Sequence, residues 1–215
     1  GLLNFTSGAR VTFAGAPDGR TTGGPAIGLI CQSGALGFAL AQAMERGVGV
    51  SHVVSCGNSS DVDVADWVSA LADDPACTAI ACAFEGIADP QKFLKAAQIA
   101  WDRNKPLIVH KMAVGEDGAA AAMSHTASLA GSAELWEALF DKGGAIAVHD
   151  FDALVETAWF FAKAPAPKAT GAAMLSGSGG AAIMSSDFAE IAGVPMPQPT
   201  PEVVARLKEL VPPFV

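Results

Sequence analysis

The stretch Ala26-Ile27-Gly28-Leu29-Ile30-Cys31-Gln32-Ser33-Gly34-Ala35-Leu36-Gly37 decides the fold. Six apolar residues in a row are too few for a buried helix and fit a strand covered on both faces. The run closes on Gln-Ser-Gly and gives way to a helical stretch reaching about Arg46. The same unit then recurs. Val50 to Cys56 is followed by Gly57-Asn58 and a helix around Val64 to Ala72, and Thr78 to Phe84 by Glu85-Gly86 and a helix from Pro90 to Trp101. Pro106 to Lys111 is followed by a Gly- and Ala-rich loop and a helix from about Ser132 to Asp141, and Ala145 to Val148 by a helix from Asp150 to Lys163. Apolar strands alternating with helices predict an α/β fold, a doubly wound parallel sheet over roughly 25–163.

Outside that domain the chain changes character. Residues 1–24 read as an irregular leading segment rich in Gly, Thr and Ser, and Ala164-Pro165-Ala166-Pro167-Lys168 reads as a linker within 164–170. A second, similar α/β unit is expected to begin at Gly171-Ala172-Ala173-Met174-Leu175. It runs through Ser176-Gly177-Ser178-Gly179-Gly180 into a helix ending near Gly193, and a helix from Pro201 to Val211 follows. Residues 171–215 hold too few elements to close a core alone. Gly1 in place of Met and the Pro-Pro pair before the last residues give the same expectation of a longer polypeptide.

Composition narrows the function. Of the 215 residues 51% are hydrophobic and 16% charged, and the formal net charge is -9. So apolar a chain can bury a large core. Its sparse charge suggests surface covered by another domain or subunit, in a homo- or hetero-oligomer. The acidic balance argues against nucleic acid or an anionic membrane as partner, so an anion would have to be bound locally by backbone N–H groups and helix ends. Cys31, Cys56, Cys77 and Cys82 form no C-x-x-C pair and no metal-ligand spacing, which points to free thiols in a reducing, cytoplasmic compartment. No apolar run approaches the roughly 18 residues of a transmembrane helix, and no signal-peptide pattern is present.

In open α/β sheets ligands bind beyond the carboxyl ends of the strands, so the residues after each apolar run are the ones to weigh. Gln32-Ser33-Gly34 offers a hydroxyl, a glycine that lets backbone approach an oxyanion, and a helix N-terminus. An ordinary glycine turn with an N-cap reads equally well. A nucleophile elbow requires G-x-S-x-G, and Cys31 and Ala35 occupy its outer positions, so a serine hydrolase is disfavoured. Ser176 to Ala182 resembles G-x-G-x-x-A, but the acidic residue of a dinucleotide site is missing, and a second phosphate-facing helix N-terminus at Ser178, Gly179 and Gly180 fits better. Glu85 ends the third run, where it could orient a histidine ring or merely cap a helix. Asp61 and Asp63, after Gly57-Asn58, read as helix-capping acids. His52 and His110 read as core histidines, and His149 as a strand end. His125, in Ser124-His125-Thr126-Ala127-Ser128-Leu129-Ala130-Gly131, sits in a run of small and hydroxylic residues that would let it move. A neutral imidazole is a good nucleophile near pH 7.

These pieces, in this order, resemble the NDP-forming acyl-CoA synthetases, relatives of succinyl-CoA synthetase. The resemblance covers nearly the whole chain. It is carried by Gly28 to Gly37, by Ser55-Cys56-Gly57-Asn58 with Asp61 and Asp63, and by Phe84-Glu85-Gly86-Ile87-Ala88-Asp89 with Phe93. Ser124-His125-Thr126 with Leu129-Ala130-Gly131 and Ser178-Gly179-Gly180 with Asp187 complete it, and Gly1-Leu2-Leu3-Asn4 resembles the tail of the CoA-binding domain. Ala127 departs from the glycine usual there. The resemblance implies a flavodoxin-like ligase domain followed by the start of a second. It implies formation of acyl-CoA from a carboxylic acid, CoA and ATP, through an acyl phosphate and a phosphohistidine at His125. Glu85 would orient the imidazole, and Ser33, Gly34, Ser178, Gly179 and Gly180 would bind phosphate. CoA and ATP or ADP are substrates rather than tightly held cofactors. Mg²⁺ is implied on a missing ATP-grasp domain or subunit, with no metal ligands on this chain. The rival readings are a catalytically silent regulatory or scaffolding module with the same fold, and a nucleotide-binding oxidoreductase built on Gly177 to Ala182.

Overall fold

The computed structural model describes residues 1–13, 15, 17–126, 132–164, 167 and 170–211, with side chains throughout except at 123–126. The chain divides into two compact units, Gly1–Ala164 and Pro165–Val215.

The first unit is built on one seven-stranded sheet. In chain order it contains β1 (Leu2–Asn4), β2 (Ala9–Val11), β3 (Ile27–Cys31), α1 (Gly34–Leu40) continued by a 3-10 helix (Ala41–Arg46), β4 (Val50–Ser55), α2 (Val64–Asp73) and β5 (Ala79–Phe84). α3 (Pro90–Asp102), β6 (Leu107–Lys111), α4 (Glu116–Thr126), α5 (Ala133–Gly143), β7 (Ile146–Val148) and α6 (Phe151–Lys163) follow. The sheet order is β2-β1-β4-β3-β5-β6-β7. The five strands from β4 to β7 run parallel, and β1 and β2 add antiparallel at the β4 edge. From β3 the chain steps to β4 on one side and then crosses to β5 on the other. The strand order therefore reverses between β3 and β5, which is the ligand-binding point of a doubly wound sheet.

The apolar strands earn their burial on both faces. Side chains alternate across a strand. In β5, Ile80, Cys82 and Phe84 face the helices α2, α3 and α5, whereas Ala79, Ala81 and Ala83 face the other layer, which includes α6. Methyl side chains there let α6 pack against β5. Phe84 is the hub of the first face, with ring centroids 5.9 Å from Phe93, 6.0 Å from Trp136 and 6.2 Å from Phe140. On the opposite face Gly37 lets α1 come close to β3, since a Cβ at that position would lie 3.1 Å from Cys31 Cβ.

Three expectations from the sequence change. Residues 1–24 contain β1 and β2 rather than irregular chain alone. Each has only three residues, too few to show an alternating pattern. The turn between them is held by Asn4 Oδ1, which accepts from Thr6 N at 3.0 Å, Thr6 Oγ1 at 2.7 Å and Ser7 N at 2.9 Å. Gly8 takes the φ of +81° that closes the turn. The loop expected before His125 is helical from Glu116 to Thr126. Four consecutive alanines, 119–122, favour a helix more strongly than the small-residue composition favours a loop. In the second unit, Gly171–Leu175 forms no strand among the described residues. The unit contains α7 (Gly179–Ile191) and α8 (Pro201–Leu210). A strand requires a neighbour to pair with. The segment 195–199 beside it supplies one bond, Ala172 N to Pro195 O at 2.8 Å, and its prolines lack donors.

His52 lies buried in β4, with Nε2 3.5 Å from Asp74 Oδ2. Burial pulls the imidazole below its ordinary value, against an opposing attraction from Asp74. Protonation therefore favours the unfolded chain. The stability that His52 contributes is fully present above about pH 6.5 and is lost as pH falls below it. Between pH 8 and pH 5, urea denaturation should show a steeper acid-side loss for the wild type than for His52→Gln, by up to about 1.4 kcal/mol per pH unit. Equal slopes would remove His52 as the source.

Candidate active site

The carboxyl ends of β3, β4 and β5 are sewn together by backbone and by one side chain. Cys56 N donates to Cys31 O at 2.9 Å, Gly57 N to Gln32 O at 3.0 Å, and Gln32 N to Ala83 O at 3.1 Å. Gln32 is 8% exposed, and its amide clasps the loop after β5. Its Oε1 accepts from Glu85 N at 2.6 Å and Gly86 N at 3.3 Å, while Nε2 donates to Gly86 O at 2.8 Å. The backbone of Glu85 is thus fixed from two sides, by Gln32 and by the aromatic hub at Phe84.

Ser33 is the N-cap of α1, accepting from Leu36 N at 3.4 Å, and Ala35 and Leu36 in the first turn are exposed. The first turn of α1 therefore opens outward directly beside the Gln32–Glu85 clasp. Asp63 behaves as the capping acid that the sequence suggested, bonding Asp66 N at 3.0 Å while Asp66 Oδ2 accepts from Asp63 N. Lys92 clamps both carboxylates, at 3.1 and 2.6 Å, which ties α3 to α2.

The sequence reading assigned the phosphate site no cation, and the structure brings one to the strand ends. Lys111 closes β6, paired in register with Phe84, and is 7% exposed. Its ammonium donates to the Met112 carbonyl and sits 4.9 Å from the centre of the Trp136 ring. Burial lowers its pKa, and the Glu85 carboxylate opposes that shift. A lysine closing a strand that begins Leu-Ile-Val was the available signal. For Gln32 it was a polar residue directly after a fully apolar run.

His110 and the four cysteines play structural parts. His110 Nδ1 lies 3.1 Å from Val148 O, with Phe151 packed edge-on at 4.9 Å. All four cysteines are unpaired, and burial pushes Cys31 and Cys77 up to about 11 and Cys56 to about 12, with Cys82 raised as well. Protonated thiols of this kind are poor nucleophiles. His125 belongs to the last turn of α4, and its side chain lies outside the described residues, as do 127–131 with Ala127. Ser178, Gly179 and Gly180 form the start of α7 in the second unit. Ser178 caps that helix by accepting from Ala181 N at 3.4 Å, and Ser178 N is held by Ser176 Oγ at 3.1 Å. No described helix is long and apolar enough to cross a membrane.

An open sheet with a parallel core, reversed between β3 and β5 and carrying an acid and a helix start at the reversal, defines a flavodoxin-like domain. Residues 24–161 match the succinyl-CoA ligase like flavodoxin domain, and the chain belongs to that family. Over 99% of its length it is 36% identical to the acetate–CoA ligase (ADP-forming) I of Archaeoglobus fulgidus, of which it spans 30%. Over 87% of its length it is 36% identical to the 4-hydroxybutyrate–CoA ligase (ADP-forming) of Nitrosopumilus maritimus, of which it spans 27%. Among solved structures it resembles the dinucleotide-forming acetyl-coenzyme A synthetase 1 of Ca. Korarchaeum cryptofilum, in complex with phosphate and ADP. That match has a TM-score of 0.81 at 32% identity and covers 89% of this chain and 42% of the other.

Replacing Gln32 by Ala should leave the amides of Glu85 and Gly86 without their acceptor, at a cost of roughly 1–3 kcal/mol. Urea melts would read the loss, and faster hydrogen exchange at Glu85 and Gly86 would locate it. An unchanged midpoint with unchanged exchange would show that the clasp is dispensable.

Proposed function

We propose that this chain is the ligase portion of an NDP-forming acyl-CoA synthetase, which joins a carboxylic acid to CoA at the expense of ATP and releases ADP and phosphate. The observation that carries this reading is the Glu85 loop, locked by Gln32 at the reversal of a succinyl-CoA ligase like domain. The ADP-forming ligase names of the relatives supply the reaction class. In this reading 25–163 is the first flavodoxin-like ligase domain, 1–24 the tail of a CoA-binding domain, 164–170 a linker and 171–215 the beginning of a second ligase domain. The apolar side chains exposed on the second unit, Leu175, Ile183, Met184, Phe188 and Ile191, support its completion by further sequence.

The chemistry asks for a group that moves a phosphoryl. One ring nitrogen of His125 attacks the terminal phosphorus of ATP, and ADP leaves with the bridging oxygen. The substrate carboxylate then attacks that phosphorus, which frees the imidazole and forms an acyl phosphate. The CoA thiolate attacks the acyl carbon, and phosphate departs. Glu85 accepts a hydrogen bond from the other ring nitrogen, which fixes the tautomer and favours the imidazolium formed on phosphorylation. Ser33 and Gly34 at α1, and Ser178, Gly179 and Gly180 at α7, supply donors from helix starts, each equivalent to roughly half a positive charge. Positioning and electrostatics are most of what phosphoryl transfer requires.

Among the described residues no three His, Cys, Asp or Glu side chains gather to hold a metal. The resemblance assigns the nucleotide and its Mg²⁺ to an ATP-grasp domain or subunit outside this chain. A relative named as a subunit alpha, the acetate–CoA ligase (ADP-forming) II of Pyrococcus furiosus, supports association with a further chain; it is 33% identical over 87% of this one. Unpaired thiols support a cytoplasmic setting.

The complete enzyme incubated with MgATP and analysed under alkaline conditions should carry phosphate on the His125 peptide, discharged by CoA with a carboxylic acid. His125→Asn should abolish turnover without loss of fold, and Glu85→Gln should slow phosphorylation by roughly 10²-fold. Nucleotide binding without phosphate on His125 would turn the assignment to a silent regulatory module.

A further inference from the structure

Among the described residues Lys111 is the one lysine, arginine, aspartate or glutamate that is buried. It leaves the end of β6 on the same side of the sheet as its register partner Phe84 and reaches Trp136, with the ammonium 4.9 Å from the ring centre. The Met112 carbonyl takes one of its three N–H donors. No described carboxylate lies within ion-pair distance of it. Trp136 is 8% exposed, and its Nε1 meets no acceptor among the described residues. An indole N–H can only donate, and an ammonium likewise. Two buried side chains in contact therefore hold spare donors with nothing to receive them. Native interiors pair nearly all such groups, and a buried charge is ordinarily matched by another. The pair also stands at the carboxyl edge of the parallel strands, where sheets of this kind bind their ligands.

We propose that Lys111 and Trp136 form an anion subsite that takes a small oxyanion, a phosphate or a carboxylate, on the Lys111 ammonium and the Trp136 indole N–H. The donors decide the chemistry. A cation is repelled. A water or a neutral carbonyl accepts the hydrogen bonds but leaves the buried charge uncompensated. A carboxylate or a phosphate brings the opposite charge and at least two oxygens, one to face the ammonium and one the indole. The acidic chain thereby gains a cationic contact for a ligand that its net charge of -9 would otherwise repel. Neither His125 nor its phosphorylation enters the argument, so the subsite stands or falls apart from the proposed function.

The test is NMR of the complete enzyme, isotope-labelled at its tryptophan indole nitrogens, with Trp136→Phe identifying the Trp136 resonance. Inorganic phosphate and acetate are titrated separately, at an ionic strength held constant with chloride. At least one of them should move the Trp136 N–H saturably while Trp67, Trp101 and Trp159 hold still. A response to phosphate alone makes the ligand a phosphate, and a response to acetate alone makes it a carboxylate. Lys111→Met should weaken the apparent affinity for that anion by at least about 10-fold. A Trp136 resonance that neither anion moves would overturn the proposal and leave the donors to buried water. So would a shift that Lys111→Met leaves unchanged, because the anion would then sit elsewhere. Should the Met variant fail to fold, Lys111→Gln, which keeps a donor for the Met112 carbonyl and removes the charge, carries the same comparison.

Discussion

The amide of Gln32 is the contact on which the site depends. It joins the end of β3 to the loop after β5 across the point where the strand order reverses. There the connections leave in opposite directions, and the strand-end loops rather than the strands themselves need holding. One side chain with both a donor and an acceptor satisfies three backbone groups at 2.6 to 3.3 Å. A shorter amide would not reach, a carboxylate could not donate to Gly86 O, and an apolar residue would leave all three groups unpaired in a buried place.

The hydrophobic core serves the same end from below. Phe84 packs against Phe93, Trp136 and Phe140, which anchors the last residue of β5 to α3 and α5. Glu85 therefore leaves a rigid element, and Trp136 in turn supports the Lys111 ammonium. The layer on the opposite face contributes small side chains, Ala79, Ala81 and Ala83, which allow the helices to close over the sheet. Large residues on one face and methyl groups on the other explain how a strand that is apolar throughout still distinguishes its two sides.

The acidity of the chain is compatible with the phosphate chemistry proposed for it because the positive potential is local. Lys111 is one cation, buried and oriented, and helix starts at Ser33 and Ser178 add partial charge without adding basic surface. A diffuse basic patch would attract any anion. A single buried ammonium at a strand end instead acts on a group placed within a few ångströms of it.

The sequence by itself determined the parallel sheet, the helices between its strands, the capping role of Asp63 and the strand-end position of Glu85. These follow from local patterns: apolar runs of strand length, helical spacing, and turn residues at their ends. It did not reveal β1 and β2, whose three-residue length shows no period. It misjudged the chain before His125, where an alanine run outweighs the glycines around it. It also expected a strand at Gly171–Leu175, which has no strand to pair with among the described residues of the second unit. Only the tertiary structure decided that Gln32 clasps Glu85, 53 residues away, and that Lys111 closes the strand beside it. Strand order is a property of crossovers rather than of any window of sequence, so which strand ends become neighbours, and hence which side chains share a site, is settled only when the sheet is assembled.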